Sequence, residues 1–270
     1  MSRICVIIPM YGKAEYTRNC IEFTLRNAGI EFNGIDNHIL VVDDGSPEPF
    51  EFKDERVLVL RLPENTGFTN AVNEGILWAG ERYDYVHLLN NDTEPEPDFI
   101  KILLDLMEAN PVIGIAGSAR ILDTETQHKI ELYGADLIRG YQLCTDGNIN
   151  EEVIYTYWIP LCSALIRFEM IRYIGLLDRR MKIWCSDNDY CIRANFNGYN
   201  VALAVKSKVK HKHAVTTDSI QRQRKHTPED DQRILIEKMA GMQYAELMTK
   251  MPLDADQKTY GKIEFTVYQR

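Results

Sequence analysis

The feature of this sequence that most constrains its fold is a regular alternation between short apolar runs and amphipathic stretches. Runs rich in Val, Ile and Leu occur at residues 4–8, 38–42, 57–60 and 85–89, and polar turn residues follow them. Between the runs lie stretches of 12 to 16 residues whose apolar side chains recur near helical spacing. Strands joined by helices need crossover connections, so the pattern predicts an α/β domain with a mostly parallel sheet.

The regularity fades after about residue 120. A fifth strand is predicted at 113–122, and a strand followed by a short helix within 157–175. A helix ended by Gly198 and a further strand at 200–213 come next. From about residue 218 the chain is charged and then helical, so we expect a C-terminal appendage on the domain.

Charge and composition indicate a globular protein and argue against some classes of partner and location. The 270 residues carry a formal charge of −9 and are 45% hydrophobic, which is ordinary for a globular protein. An acidic chain is not steered toward nucleic acid by its overall field. The six cysteines form no C-x-x-C pair, and no stretch approaches the roughly 20 apolar residues of a membrane span. We expect a cytoplasmic protein whose thiols are reduced. The protein would either be free in the cytoplasm or bind peripherally at the inner face of a membrane.

Polar residues follow three of the predicted strands at their carboxyl ends, where an open α/β sheet binds its ligands. The residues delivered there are Pro9, Met10 and Tyr11, then Asp43, Asp44, Gly45 and Ser46, and finally Asn90, Asn91 and Asp92. Taken singly, each group fits an ordinary turn. Taken together, they favour a ligand site, because converging carboxylates need a positive or hydrogen-bonding partner.

No Gly-rich phosphate loop is present, so a diphosphate would need another means of binding. Neither G-x-G-x-x-G nor G-x-x-x-x-G-K-[ST] occurs in the sequence. A hard divalent cation, Mg²⁺ or Mn²⁺, binds one or two carboxylates and shares the phosphate oxygens. Asp92 is a suitable ligand, whereas Asn91 offers only a neutral carbonyl.

Two further stretches carry candidate residues. In a helix, Asp189 and Arg193 lie four residues apart and can pair, whereas Asp187 lies near the start and has no such partner. Taken alone, this stretch is better explained by a helix cap and a surface ion pair. His211 and His213 occupy alternate positions at a strand end and share one face, which suits a metal site or an ordinary surface.

These motifs together resemble the inverting family 2 glycosyltransferases of GT-A fold. The matching segments are "VIIPMYG" with "VVDDGS", "ENTGFTNAVNEGI", "LLNNDTEPEPDFI" and "IGLLDRRMKIWCSDNDYCIRANFNGYNV". The resemblance covers residues 3 to about 217 and predicts a glycosyltransferase domain at 1–217. Its nucleotide-binding half would be 1–120 and its acceptor and catalytic half 121–217, with a helical tail at 218–270.

The resemblance implies roles for particular residues. Asp187 is implied to be the catalytic base, and Asp92 to hold the Mn²⁺ or Mg²⁺ that bridges the donor diphosphate. His211, with His213 as the alternative, is implied to contact the cation or the diphosphate. The residues implied to bind the nucleotide, with Asp44 near the base, are Pro9, Tyr11, Asp43, Asp44, Asn70 and Asn91. Those implied to contact the acceptor or support the site are Trp158, Asp189 and Arg193.

The sequence departs from the family pattern at two positions. Asn91 takes the place of the first acid of the metal motif, and Ser186 the place of a common Glu. A sugar-nucleotide-binding protein without activity is therefore one alternative. A nucleotidyltransferase is another, less favoured because "PMYGKAEY" has a single glycine and one lysine.

The predicted partners follow from the same resemblance. The donor would be a UDP- or dTDP-linked sugar, and the acceptor a glycan or a lipid-linked acceptor. A basic stretch from Lys210 to His226 would also suit a nucleic acid, which is the less favoured acceptor. Apolar residues of the C-terminal helix predict packing on the domain or on a second copy of the chain: Ile234, Leu235, Met239, Met242, Leu247 and Met251.

Overall fold

The computed structural model describes residues 2–124, 127–133, 142–145, 152–182, 184–212 and 226–241. They form one mixed sheet with helices on both faces, which confirms the predicted α/β fold. The strands are β1 (Ile4–Met10), β2 (His38–Asp43), β3 (Val57–Arg61), β4 (Tyr85–Leu89), β5 (Thr93–Pro95), β6 (Ile113–Thr124), β7 (Gln127–Tyr133), β8 (Gln142–Thr145), β9 (Val153–Thr156), β10 (Ser163–Arg167) and β11 (Asn200–His211). The helices are α1 (Ala14–Asn27), α2 (Phe68–Ala79), α3 (Phe99–Ala109), α4 (Phe168–Ile174), α5 (Ser186–Phe196) and α6 (Pro228–Gly241).

The sheet has the strand order β3-β2-β1-β4-β10-β6-β11-β5. The parallel strands are β3, β2, β1 and β4, as the regular alternation of the sequence predicts, and the pair β6 and β11 is also parallel. β10 runs antiparallel between β4 and β6, and β5 and β9 run antiparallel to β11. The sheet therefore changes character where the regular strand–helix pattern of the sequence ends.

β1 lies inside the sheet and is buried along its whole length. Its alternate residues point to opposite faces, as a strand requires. Ile4 and Val6 pack with α1 and α3, whereas Cys5 and Ile7 pack with α2 and α5. A strand covered on both faces has to be apolar at every position, which explains the unbroken run that the sequence shows.

One glycine lets α2 lie close to this strand. A Cβ atom on Gly75 would approach Ile7 Cγ2 to 2.6 Å and Val42 Cγ2 to 3.1 Å. The helix therefore packs directly on β1 and β2, and its first turn lies near the carboxyl ends of these strands. This placement brings the loop before α2 to the edge where the polar residues gather.

A bulge in β11 shapes the other half of the same edge. The pairing with β6 shifts between Ala204 and Lys208, which leaves three extra residues on β11. Bulges bend a strand and increase its twist. Beyond the bulge β11 also pairs with β5, so that His211 lies opposite Thr93, the residue after Asp92.

Two general properties complete the description. The cysteines whose side chains are described are free thiols: Cys5, Cys20, Cys162, Cys185 and Cys191. None of the helices in the described parts of the chain combines the length and apolar character needed to cross a bilayer.

Candidate active site

The carboxyl ends of β1, β2 and β4 lie side by side at one edge of the sheet. Pro9 and Met10 still belong to β1, where they pair with Val42 and Asp43. Tyr11 follows directly and is half-buried. This edge is therefore the place where the polar residues predicted from the sequence come together.

Asp43 is a fully buried carboxylate that organises the turn after β2. It accepts hydrogen bonds from the backbone amides of Ser46 and Phe50, and it forms an ion pair with Arg61. Burial raises the pKa of Asp43, but the bonds from Ser46, Phe50 and Arg61 outweigh it and hold the pKa below its usual value. Asp43 thus stays ionised and fixes the loop that carries Asp44.

Asp44 holds this turn against the loop before α2. Its carboxylate accepts bonds from the backbone and hydroxyl of Thr66, both at 2.7 Å, and from the amide of Gly67 at 2.8 Å. Gly45 makes the contact sterically feasible, because a Cβ atom there would lie 2.5 Å from the carbonyl carbon of Glu64. Asn70 donates to the Thr66 carbonyl and supports the same loop.

Asp92 and His211 form the centre of the second cluster. His211 Nε2 lies 2.9 Å from Asp92 Oδ1, and both side chains are about nine-tenths buried. The Lys212 amide also donates to the Asp92 carbonyl at 3.0 Å. On the other side of the ring, Arg120 lies 3.3 Å from Nδ1. A guanidinium only donates, so Nδ1 accepts from Arg120 and the ring hydrogen on Nε2 points to Asp92.

The two asparagines before Asp92 differ in their contacts. Asn91 is buried and donates to the Thr17 hydroxyl of α1 at 3.0 Å. Asn90 places its Nδ2 atom 3.3 Å from His211 Nε2, while its buried Oδ1 atom has no hydrogen-bond partner among the described residues. Turning the Asn90 amide over would bring Oδ1 beside the ring hydrogen of His211.

The residues of this cluster fit a hard divalent cation. Two ligands at right angles, each about 2.1 Å from an octahedral Mg²⁺, lie about 3 Å apart, close to the spacing of Asp92 and His211. Among the residues that the structure describes, no third carboxylate, thiol or imidazole completes a metal cluster. Diphosphate and water oxygens would fill the remaining positions. If a cation bound Nε2 of His211, the ring hydrogen would have to lie on Nδ1. Nδ1 could then no longer accept the hydrogen bond from Arg120, because both groups would be donors.

The segment that carries Asp187 has an unusual start. Cys185, which precedes α5, has a left-handed backbone with φ of 61°, and Ser186 is the first helical residue and is buried. Burial raises the pKa of the partly exposed Asp187 side chain to about 6, although a bond from the Asn188 amide opposes the shift. A carboxylate with that pKa is both ionised and basic near neutral pH.

Asp189 has a different environment, as its spacing suggested. Arg193 Nε donates to Asp189 Oδ2 at 2.9 Å, and the same guanidinium donates to the carbonyls of Ile174 and Leu176. Asp189 is buried within this ion pair. Trp158, also singled out from the sequence, is half-buried and packs against the core on this face.

Asp92 and Asp187 come from opposite halves of the sequence but act on one buried side chain. The pKa of the Cys162 thiol is raised to about 12, mainly by burial; the charges of Asp92 and Asp187 contribute to the rise, whereas that of Arg120 opposes it. The two carboxylates therefore lie within electrostatic reach of the same atom. His213 and residues 213–225 of the predicted basic stretch lie outside the described residues.

Sequence reasoning gave no role to Asn90 or Arg120, which both contact His211. Asn90 was visible at the end of β4 but could not be distinguished from its neighbour Asn91. Arg120 gave a weaker signal, a single charge within the apolar run "IGIAGSARIL". Its contact with His211 is what places it beside the site.

Comparison with known proteins finds a match to the family model described as glycosyl transferase family 2, over residues 5–174. This span includes Asp44 and Asp92 and ends before Asp187. The Glycosyltransferase GlyG of Streptococcus pneumoniae serotype 4 (strain ATCC BAA-334 / TIGR4) is 29% identical over 121 residues. The alignment covers 41% of this chain and 38% of that protein, so it spans well under half of the relative's length.

Three solved structures have a similar fold. GalNAc-T7 with UDP, GalNAc and Mn²⁺ has a TM-score of 0.62 at 13% identity, covering 78% of this chain and 44% of its own. The mannosyltransferase PcManGT from Pyrobaculum calidifontis, with GDP-Man and Mn²⁺, has a TM-score of 0.59 at 15% sequence identity. The match covers 82% of this chain and 61% of PcManGT. S. aureus TarS 1–349 with UDP has a TM-score of 0.56 at 12% sequence identity, and the match covers 94% of this chain and 66% of TarS. At these identities the likeness concerns the fold alone.

Proposed function

Since the chain belongs to glycosyl transferase family 2 and is therefore a glycosyltransferase, we propose that it inverts the anomeric carbon of the transferred sugar. The donor is a nucleoside-diphosphate sugar and the acceptor a hydroxyl group. The observation that supports this most directly is a buried carboxylate–imidazole pair, Asp92 with His211, at the carboxyl edge of the sheet. A second carboxylate, Asp187, has a pKa that burial raises to about 6.

Asp187 is the base of the proposed reaction. It takes the proton of the acceptor hydroxyl while the new bond forms between that oxygen and the anomeric carbon. The bond from the same carbon to the diphosphate breaks at the opposite face, and its electron pair leaves with the nucleoside diphosphate. A well-placed base of this kind contributes about 10²–10⁴-fold to the rate.

Asp92 and His211 would hold Mn²⁺ or Mg²⁺ at the diphosphate. The cation, when bound, stabilises the negative charge that develops on the leaving group. GalNAc-T7 and PcManGT are both described with Mn²⁺, which supports this assignment by analogy of fold. Asp92 provides the charged ligand and His211 a neutral one, so the chain's own contribution to the site carries a single negative charge.

The turn that Asp43 and Asp44 hold is proposed to shape the nucleotide subsite. Pro9 and Tyr11 line the neighbouring strand end, and Asn70 braces the loop before α2. We expect a UDP- or dTDP-linked sugar as donor; the similar folds were solved with UDP or GDP-Man. The acceptor is a glycan or a lipid-linked glycan.

A donor screen tests the proposal. The unfolding temperature would be measured with UDP-, dTDP- and GDP-linked sugars, each with and without Mn²⁺. A donor present at 100 times its Kd should raise the free energy of unfolding by about 2.7 kcal/mol. The bound donor would then be followed for release of nucleoside diphosphate.

The outcomes separate the proposal from its alternative. Donor binding with Mn²⁺ and steady release of nucleoside diphosphate would support a transferase. Binding without release, in the presence of glycan acceptors, would indicate a sugar-nucleotide-binding protein without activity. No stabilisation by any donor would contradict both.

A further inference from the structure

The C-terminal helix α6 lies across the segment that carries Asp187. Near its start, Asp231 is fully buried. Its two carboxylate oxygens accept the backbone amide of Lys182 at 3.0 Å and that of Trp184 at 2.8 Å. His226 also bonds to Asp231. The backbone amides three and five residues before Asp187 are thus bound by a side chain from another part of the chain.

A second contact joins the far end of the helix to one residue before Asp187 and one residue after it. Lys238 Nζ lies 2.5 Å from Asp189 Oδ1 and 2.9 Å from Asp178 Oδ2. Lys238 follows Asp231 by seven residues, so the two side chains lie about 10.5 Å apart along one face of the helix. The two anchors therefore hold the segment on both sides of Asp187.

Charge rather than apolar burial provides the close contacts of α6. Asp231 is its one fully buried residue among Pro228 to Met239, and Ile236 is 66% exposed. Ile234, Leu235 and Met239, expected to form the packing face, are only partly buried, whereas Met242, Leu247 and Met251 lie outside the described residues. Buried ionic contacts add little net stability but fix a register, because they tolerate few alternative arrangements.

We propose that α6 is a positioning element for the catalytic segment, with Asp231 and Lys238 as its positioning residues. They act on Asp187 through the backbone at 182–184 and through Asp189. This inference rests on the proposed function, since it assumes that Asp187 is the base. A displacement of a reacting group by about 1 Å can cost about 10²-fold in rate, so a loosened segment should lower turnover more than donor binding.

The test uses the full-length chain and two matched variants of α6. Asp231→Asn keeps the size of the side chain but turns an N–H donor toward one of the two backbone amides. Glu237→Gln removes the same charge from an exposed residue of the same helix. The readouts are hydrogen exchange of residues 182–190, donor Kd by calorimetry, and kcat for hydrolysis of the donor selected by the screen.

In Asp231→Asn we expect faster exchange at the amides of Lys182 and Trp184 and a kcat lower by about tenfold or more, with donor Kd within about twofold. Glu237→Gln should match the unmutated chain in all three readouts. A second pair tests the other anchor. Lys238→Met should lower kcat, and Lys238→Arg should restore most of it because the positive charge is retained.

Unchanged exchange or unchanged kcat in Asp231→Asn would overturn the proposal. So would a kcat and a donor affinity that fall together in step with the folded fraction, measured by circular dichroism. Failure of the proposed function looks different: the unmutated chain would then hydrolyse no donor, whereas the exchange experiment would still show whether α6 holds the segment.

Discussion

The two halves of the site hold their carboxylates in different ways. In the half built from β1, β2 and the start of α2, Asp43 and Asp44 are bound mainly by backbone amides of nearby loops. In the half built after β4, Asp92 and Asp189 are paired with side chains that carry or can carry positive charge. His211, the partner of Asp92, comes from a distant part of the sequence.

This difference shows which carboxylates are held by fixed groups and which by partners that can move. Backbone amides have fixed positions and cannot titrate, so the carboxylates they bind serve as rigid braces. A side-chain partner can turn away or be replaced by a cation. Asp187 differs from both groups. Its partly buried carboxylate accepts a bond from the amide of the next residue, Asn188, but has no ion pair among the described contacts, and burial raises its pKa to about 6.

Of the substitutions that test the difference between the two halves of the site, the one at Asp92 should have the largest effect. Asp92→Ala should abolish Mn²⁺-dependent donor binding while leaving the fold intact, because it removes the only charged ligand of the proposed cation site. Calorimetry with Mn²⁺ and the donor measures the loss. Asp105→Ala, in an exposed ion pair with Lys101, is the control and should bind normally. Unchanged Mn²⁺-dependent binding in Asp92→Ala would refute the assignment.

The second effect concerns the choice between Asp187 and Asp189. Asp187→Asn should lower kcat by at least roughly a hundredfold with donor Kd retained, because it removes the general base. Asp189→Asn should act mainly through stability or the placement of α5, since Asp189 is held by Arg193 and Lys238. If Asp187→Asn kept a normal kcat while Asp189→Asn lost it, the roles would have to be exchanged.

A third effect follows from the pKa of Asp187. The base acts only when ionised, so kcat/KM should fall about tenfold per pH unit below about 6 and level off above it. The raised pKa also means that the folded state disfavours the ionised carboxylate. Asp187→Asn should therefore be more stable than the unmutated chain above about pH 6, and this gain should vanish below about pH 4. A kcat/KM profile that stayed level down to pH 4.5 would contradict the assignment.

The smallest effect is expected in the half bound by backbone amides. Asp44→Asn should lower the free energy of unfolding by about 1–3 kcal/mol, because an amide N–H₂ group would meet a donor of Thr66 or Gly67. Urea denaturation measures this loss. Glu48→Gln, an exposed residue of the neighbouring loop, should leave stability unchanged. Normal stability with weakened donor binding in Asp44→Asn would instead make Asp44 a direct ligand contact.

The same comparison explains how much could be predicted from sequence. β1, β2 and β4 were visible because their burial follows from runs of neighbouring apolar residues. The pair Asp189 and Arg193 was visible because helical spacing is local. The contact of Arg120 with His211 was not, because it joins residues 91 positions apart and depends on the bulge in β11.

The contacts of α6 with the domain are a second example of what could not be predicted from the sequence. The sequence drew attention to its apolar residues, which usually determine how a helix packs. The structure instead buries Asp231 and engages Lys238; Asp231 binds His226 and two backbone amides, and Lys238 binds two carboxylates. Neither residue differs in local pattern from the surface charges around it, so only the folded chain identifies them.

The free cysteines have a practical consequence for chemical labelling. Thiol reagents attack the thiolate, and burial raises the pKa of Cys20 and Cys162 to about 12. Burial also raises the pKa of Cys185 to about 12, and the charges of Asp187 and Asp231 add to the effect. These three thiols should therefore resist alkylation at neutral pH. Because Cys185 is only half-buried and lies at the start of α5, its rate of modification would serve as a reporter of opening in that segment.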